Sequence, residues 1–112
     1  MKLTLPYPPS ANRYWRKGRN GRIYVSPDAE AYKNEVFFLS VSKKLELFEG
    51  LLSVKFDFYR PLKSGDLSNR IKVLEDALQG ICYKDDKQIV EIHARRFDDK
   101  SNPRVEVEIQ EV

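Results

Sequence analysis

The chain has 112 residues and a net charge of +3, with 41% hydrophobic, 12% aromatic and 33% charged residues. This length and composition predict one small folded domain over residues 1–112 and exclude a disordered chain. No apolar run approaches the roughly 18 residues of a membrane span, and the N-terminus shows no signal-peptide core, so we expect no membrane partner. The single cysteine, Cys82, excludes an internal disulfide. We therefore expect Cys82 to be a small packing residue and the location to be cytoplasmic.

Alternating and turn-forming residues organise the beginning of the chain. The alternation in KLTL, residues 2–5, predicts a first strand, and the prolines of the following PYPPS end it. Residues 10–22 indicate an exposed loop or ribbon. The next segment, RIYVS, indicates a short strand.

A helix and a strand follow this beginning. Ser26 before Pro27 predicts a helix start, because a hydroxyl can cap the helix and proline fits its first position. Apolar residues at helical spacing continue the predicted helix to about residue 45. The alternating segment LLSVKFDFYR, residues 51–60, predicts a strand.

The second helix has the clearest pattern of all. Apolar residues spaced by four and three form one core-facing stripe, made of Leu67, Ile71, Leu74, Leu78 and Ile81. Asp66 or Ser64 can cap the start of this helix, and Gly80 can end it.

Two further alternating segments complete the predicted fold. Apolar and polar residues alternate from Val90 to Ala94 and again from Val105 to Ile109, where we expect the apolar side chains to point inward. The intervening DDKSNP predicts a hairpin loop. The order strand, strand, helix, strand, helix, strand, strand predicts an α+β fold, with a mixed sheet packed against two main helices.

Acidic residues concentrate in and after the second helix. Asp66, Asn69 and Lys72 can face one point beside the helix start, because residues three or four apart share a helix face. Asp85 and Asp86 return after a short loop and lead into a strand, where they can meet that point. Such oxygen ligands suit Mg²⁺, which binds few carboxylates and uses substrate phosphates as well. On the sequence alone the alternative stays open that these acids are caps, turn residues and solvated surface.

The segment SANRYWRKGRNGR, residues 10–22, is basic and aromatic and contains no acid. Its cations can neutralise phosphates, and its rings can stack on unpaired bases. The candidate nucleic-acid contacts are Arg13, Tyr14, Trp15, Arg16, Lys17, Arg19 and Arg22. The alternative is a solvated basic loop with Trp15 packed into the core. A hard-metal site and a polyanion-binding segment together indicate a metal-dependent enzyme acting on nucleic acid.

The chain resembles the RusA family of Holliday-junction resolvases, which occur in phages and prophages. PYPPSANRYWR is similar to the family's N-terminal proline–asparagine motif. GDLSNRIKVLEDALQGICYKDDKQIV is similar to its central block, a D-L-D-N segment followed by lysine, a helix and a D-D pair. The resemblance implies a compact homodimer that binds four-way branched DNA. It also implies paired incisions that depend on Mg²⁺, with Mn²⁺ as a substitute.

The resemblance also assigns roles by position. Asp66, Lys72 and Asp86 match the catalytic residues, and Asp66 and Asp86 would bind metal. The further candidate metal ligands are Asp85, Glu75 and Asp76, and the supporting residues are Ser68 and Asn69.

Ser68 departs from the family pattern. A hydroxyl stands where the D-L-D-N segment has a metal-site carboxylate, and a neutral hydroxyl binds Mg²⁺ more weakly. Glu75, two turns along the same row, could supply the missing charge, or Ser68 could bind the metal through water. Two rival hypotheses remain. The chain binds junctions without cutting them, or it is an interaction domain with solvated acids.

Overall fold

The computed structural model describes residues 1–9, 15–17, 19, 21, 23–43, 45, 47–62 and 67–112. Its strands and longer helices are β1 (Lys2–Leu5), β2 (Trp15–Lys17), β3 (Ile23–Val25), α1 (Pro27–Ser42), β4 (Leu52–Arg60), α2 (Leu67–Leu78), β5 (Ile89–Asp98) and β6 (Arg104–Glu111). Within these ranges no helix has both the length and the apolar character that crossing a membrane requires.

Four of the strands form one mixed sheet in the order β1-β6-β4-β5. β4 pairs in parallel with β5 and antiparallel with β6, and β6 pairs antiparallel with β1. Parallel neighbours need a crossover connection, and α2 supplies it between β4 and β5. The predicted α+β class, with a mixed sheet and two main helices, is confirmed.

The predicted hairpin between the last two strands is wrong. β5 and β6 lie on opposite sides of β4 and do not pair with each other. The backbone N–H of Asp99 donates to the carbonyl of Arg60 at 2.9 Å, so the connection passes over the end of β4. Alternation and turn residues locate the ends of strands, but they do not determine which strands are neighbours.

The core lies between the helices and one face of the sheet. Alternate residues of β4, from Leu52 to Phe58, are fully buried, and Val105 and Ile109 of β6 point inward as predicted. Cys82 is also buried, which raises its thiol pKa to about 11, and this agrees with the predicted packing role.

Both helices begin near their predicted positions. The Ser26 side chain accepts a hydrogen bond from the Ala29 N–H and caps α1, which ends at Ser42, slightly earlier than predicted. α2 buries a wider stripe than predicted, because Val73 and Ala77 join its leucines in the core.

The other face of the sheet is polar and internally paired. Arg95 of β5 donates to both carboxylate oxygens of Asp57 on β4, at 2.9 and 3.0 Å. The Arg104 guanidinium lies 3.8 Å from the ring centroid of Tyr59, and Tyr59 stacks on Phe97 at 4.9 Å. These contacts connect β5, β4 and β6 across the solvent side.

Candidate active site

Three carboxylates form an acidic cluster beside the second half of α2. Glu75 and Asp76 lie on α2, and Asp86 opens a short 3₁₀ turn that leads into β5. All three residues are half-buried. Burial is the main cause that raises the pKa of Glu75 and Asp76, and the charge of Asp86 raises both further. The fold therefore places Asp86 close enough to Glu75 and to Asp76 for its charge to repel both.

Two lysines offset part of this negative charge. Lys33 of α1 pairs with Asp76 through an Nζ–Oδ2 distance of 2.8 Å. Lys72 is exposed one turn before Glu75, and its charge partly lowers the Glu75 pKa. The net shifts of the Glu75 and Asp76 pKa values are nevertheless upward, because burial and the charge of Asp86 outweigh the effect of the lysines.

Tyr83 supports the cluster and was not predicted from the sequence. Its side chain is fully buried, and its hydroxyl donates to the Glu75 carbonyl at 2.5 Å. Gly80 has a positive φ of 86°, which favours glycine. Its N–H donates to the Tyr83 carbonyl at 2.7 Å and closes the turn after α2. Burial and then the nearby acids raise the Tyr83 pKa above its usual value, so this hydroxyl stays a neutral donor. A tyrosine within the polar YKDD segment gives no sequence signal of such burial.

Asp85 has a structural role, because it caps the short 3₁₀ turn that begins at Asp86. Its carboxylate accepts a hydrogen bond from the Lys87 N–H at 2.9 Å, while the Gln88 side chain accepts from the Asp85 N–H at 3.1 Å. This reciprocal pair is a capping box, and the bond from Lys87 is the main cause that lowers the Asp85 pKa. The turn role considered for Asp85 is therefore observed, and its metal role stays a prediction.

The residues at the start of α2 are placed only in part. Asp66 lies outside the described residues, whereas Ser68 is exposed and Asn69 half-buried in the first turn. The seven steps from Ser68 to Glu75 rise about 10 Å along a helix, so Glu75 lies about two turns from that end. Over the described ranges, no three Asp, Glu, His or Cys side chains are close enough to hold one metal ion. Partly buried carboxylates that repel one another still have the donor chemistry that a hard divalent cation requires.

The basic segment contributes one strand, β2, to a two-stranded ribbon. β2 and β3 pair antiparallel as a separate two-stranded unit, with Trp15 opposite Val25. Arg16 and Lys17 also lie on β2, and Arg19 is exposed. Three further predicted contacts lie outside the described residues, namely Arg13, Tyr14 and Arg22.

Arg70 attaches the chain before this ribbon to α2. Its Nη1 donates to the Pro8 carbonyl at 3.2 Å, and its guanidinium carbon lies 5.1 Å from the Tyr7 ring centroid. The segment leading to the cationic ribbon is thus held against the helix that carries the acids. Sequence reasoning missed Arg70 because its partners are a backbone carbonyl and a ring about sixty residues earlier.

Glu75→Gln is expected to raise the melting temperature of the metal-free protein at pH 7. The Glu75 pKa is raised above its usual 4.5 in the folded state, so the folded protein binds a proton more readily than the unfolded chain. The ionised side chain therefore costs stability above its folded pKa, and the cost disappears as the pH falls to 4.5. Thermal melts in EDTA between pH 4.5 and 8 check this, with the exposed Glu30→Gln as control. A variant that melts below wild type at pH 7 would contradict a stability cost of the ionised Glu75 side chain.

Comparison with known proteins places this architecture in a family. The family model of endodeoxyribonuclease RusA matches residues 6–110. The crossover junction endodeoxyribonuclease RusA of Escherichia coli K12 is 31% identical over 113 residues, covering 98% of this chain and 93% of that protein. The corresponding enzyme of Enterobacteria phage 82 is 30% identical with the same coverage. YqaN of Bacillus subtilis is 38% identical over 90 residues, covering 79% of this chain and 58% of that protein. Because the family match spans nearly all of its residues, this chain belongs to the RusA family of endodeoxyribonucleases.

Proposed function

We propose that this chain is a crossover junction endodeoxyribonuclease that resolves four-way DNA junctions by paired symmetric nicks in recombination and repair. The observation that carries the proposal is its match over 98% of its length to proteins with that activity. The acidic cluster and the basic ribbon support it, because cutting DNA requires anionic groups for chemistry and cationic groups for phosphate binding.

We further propose Mg²⁺, or Mn²⁺ in its place, as the cofactor. Asp66 and Asp86 would hold it, and Asp85, Glu75 or Asp76 would complete the oxygen ligands. When bound, a divalent ion lowers the pKa of water and neutralises charge on a phosphodiester. The half-burial of Glu75 and Asp76 and the repulsion of each by Asp86 support this proposal, since a cation would offset the negative charge.

The remaining residues position the DNA and stabilise charge. Lys72 is exposed one turn before the acidic cluster, where its ammonium can donate to the attacking or leaving oxygen. Asn69 can orient a carboxylate by hydrogen bonding. The cations of the basic segment, from Arg13 to Arg22, would hold the phosphate backbone.

A homodimer acting in the cytoplasm completes the proposal. A four-way junction offers two equivalent strands for cutting, and a two-fold dimer presents two equal sites to them. The buried, unpaired Cys82 is compatible with a reducing compartment.

The test is incubation of the purified protein with a labelled four-way junction and a linear duplex of matched sequence, with Mg²⁺ and with EDTA. We expect paired, symmetric nicks in the junction alone, and only with Mg²⁺. Equal cutting of the duplex would contradict junction selectivity. Tight junction binding without nicks under Mg²⁺ and Mn²⁺ would contradict the nuclease proposal and show that the protein binds junctions without cutting them.

Ser68→Asp is expected to lower the Mg²⁺ concentration for half-maximal cleavage by roughly tenfold, a change typical of altered metal-site partners. Ser68 is exposed in the first turn of α2, so the fold can accept a carboxylate there. Cleavage rates across a Mg²⁺ titration measure the effect. Ser68→Asn, which changes size without adding charge, is the control. An unchanged titration curve would show that position 68 takes no part in metal binding.

A further inference from the structure

Among the residues that the structure describes, β5 has a long edge without a strand partner. It is the outer strand of the four-stranded sheet and runs for ten residues, whereas the opposite edge strand, β1, has four. Most of its side chains are exposed, and these include Ile92 at 43% and Phe97 at 37%. Proteins usually cover or shorten such edges, because free backbone groups beside apolar side chains bind other strands.

We propose that β5 pairs antiparallel with β5 of a second copy and joins the two sheets into one. The proposal rests on the homodimer of the proposed function and identifies the surface that forms it. Main-chain hydrogen bonds across the new strand pair would provide affinity, and facing side chains would set the register.

The charges on β5 favour one register. Full overlap of this strand with its copy requires a two-fold axis near His93 or Ala94, because these residues lie at its middle. With His93 at the axis, Glu91 faces the partner's Arg95, and symmetry repeats this unlike pair. With Ala94 at the axis, His93 would face the partner's Arg95 and gain no unlike pair.

The in-chain contacts leave these two side chains free to form such a pair. Within the described residues, both hydrogen bonds of Glu91, from Ser53 and with His93, use Oε1. Arg95 uses Nε and Nη2 on Asp57. Glu91 Oε2 and Arg95 Nη1 can therefore each bond to a partner subunit. The existing hydrogen bonds to Ser53, His93 and Asp57 already orient the two side chains.

The helix-facing side of β5 is complementary as well. In the same register Ile92 faces the partner's Ala94, and the pair would shield the exposed isoleucine. Antiparallel strands related by a two-fold axis have that axis perpendicular to their sheet. Both copies would therefore carry α2 on the same side, and both acidic clusters could face a single four-way junction.

His93→Cys tests the register directly. Opposite residues of an antiparallel pair have Cβ atoms roughly 4.5–5.5 Å apart, near the spacing that a disulfide bridges. We expect mild oxidation to convert most of this variant into a covalent dimer on a non-reducing gel. Native Cys82 is buried and gives little background. Lys100→Cys, exposed in the loop after β5, is the matched control and should run as a monomer on the same gel, because it forms no disulfide across the pair.

Ile92→Lys provides an independent measurement. Its side chain is already partly exposed, so the fold should tolerate lysine, while the charge would face the partner. Light scattering should report a dimer for wild type and a monomer for the variant at unchanged helix content. A wild-type monomer would overturn the proposal. The protein could instead be a dimer that neither crosslinks through position 93 nor dissociates with Ile92→Lys. That result would show that β5 is not the dimer interface, while the homodimer itself would stand. Junction cleavage by wild type is assayed separately and reports on the nuclease proposal.

Discussion

Asp86→Asn is expected to reduce junction cleavage by roughly a thousandfold, the upper range for removing one charge-stabilising group from an active site. Asp86 is half-buried, and its charge reaches both Glu75 and Asp76. An amide keeps the size of the side chain but removes the negative charge that a divalent cation requires. Junction binding should stay close to wild type, because the proposed DNA contacts lie on the basic segment.

Single-turnover cleavage and gel-shift binding of the same junction separate the two effects. Asp66→Asn should lose cleavage to a similar extent. Asp28→Asn, an exposed carboxylate in the first turn of α1, should cut like wild type and is the control. Asp86→Asn cutting within tenfold of wild type would remove Asp86 from the site. If Asp86→Asn lost junction binding together with cleavage, Asp86 would contribute to DNA affinity and not to the chemical step.

Phe56→Ala is expected to destabilise the fold by about 3–5 kcal/mol, as large-to-small changes in cores do. Phe56 is 0% exposed on the central strand, opposite Ala94 of β5 and Val107 of β6, and its ring meets Phe58 edge-on. Domains of this size have only about 5–15 kcal/mol of stability in total, so the variant should be near unfolding at 37 °C.

Urea unfolding followed by circular dichroism measures this loss. Phe97→Ala is the matched control, because it removes the same side chain from the exposed edge strand. We expect this control to cost much less than Phe56→Ala. Similar costs for the two variants would contradict a core centred on β4.

Local patterns predicted the elements well but not their neighbours. Alternation located β4 and β6, and four-and-three spacing located α2, because burial on one face imposes these periods directly. The predicted hairpin failed because the α2 crossover places β5 beside β4, on the side away from β6. The order of the strands in the sheet depends on long-range packing, which cannot be predicted from any single segment of about ten residues.

The acidic site, too, was predictable from the sequence only where its residues lie on one element. Glu75 and Asp76 share α2, so their proximity was readable from the sequence. The charge of Asp86 reaches Glu75 and Asp76 on the second half of α2, and its predicted meeting with the helix start stays a prediction. The turn held by Tyr83 and Gly80 sets the position of Asp86, and it depends on a buried hydrogen bond that periodicity does not encode. The part played by Asp66 stays a prediction.

The position of β6 has a consequence for how the protein is made. β6 is the last strand in the sequence, yet it lies between β1 and β4, and the Met1 amine donates to the Ile109 carbonyl at 2.8 Å. While the ribosome is still adding residues 104–111, β1 lacks its sheet partner and the sheet under the helices is incomplete. Contacts between such distant segments form late and slowly. The nascent chain should therefore acquire its DNA-cutting structure only after Glu111 has left the exit tunnel.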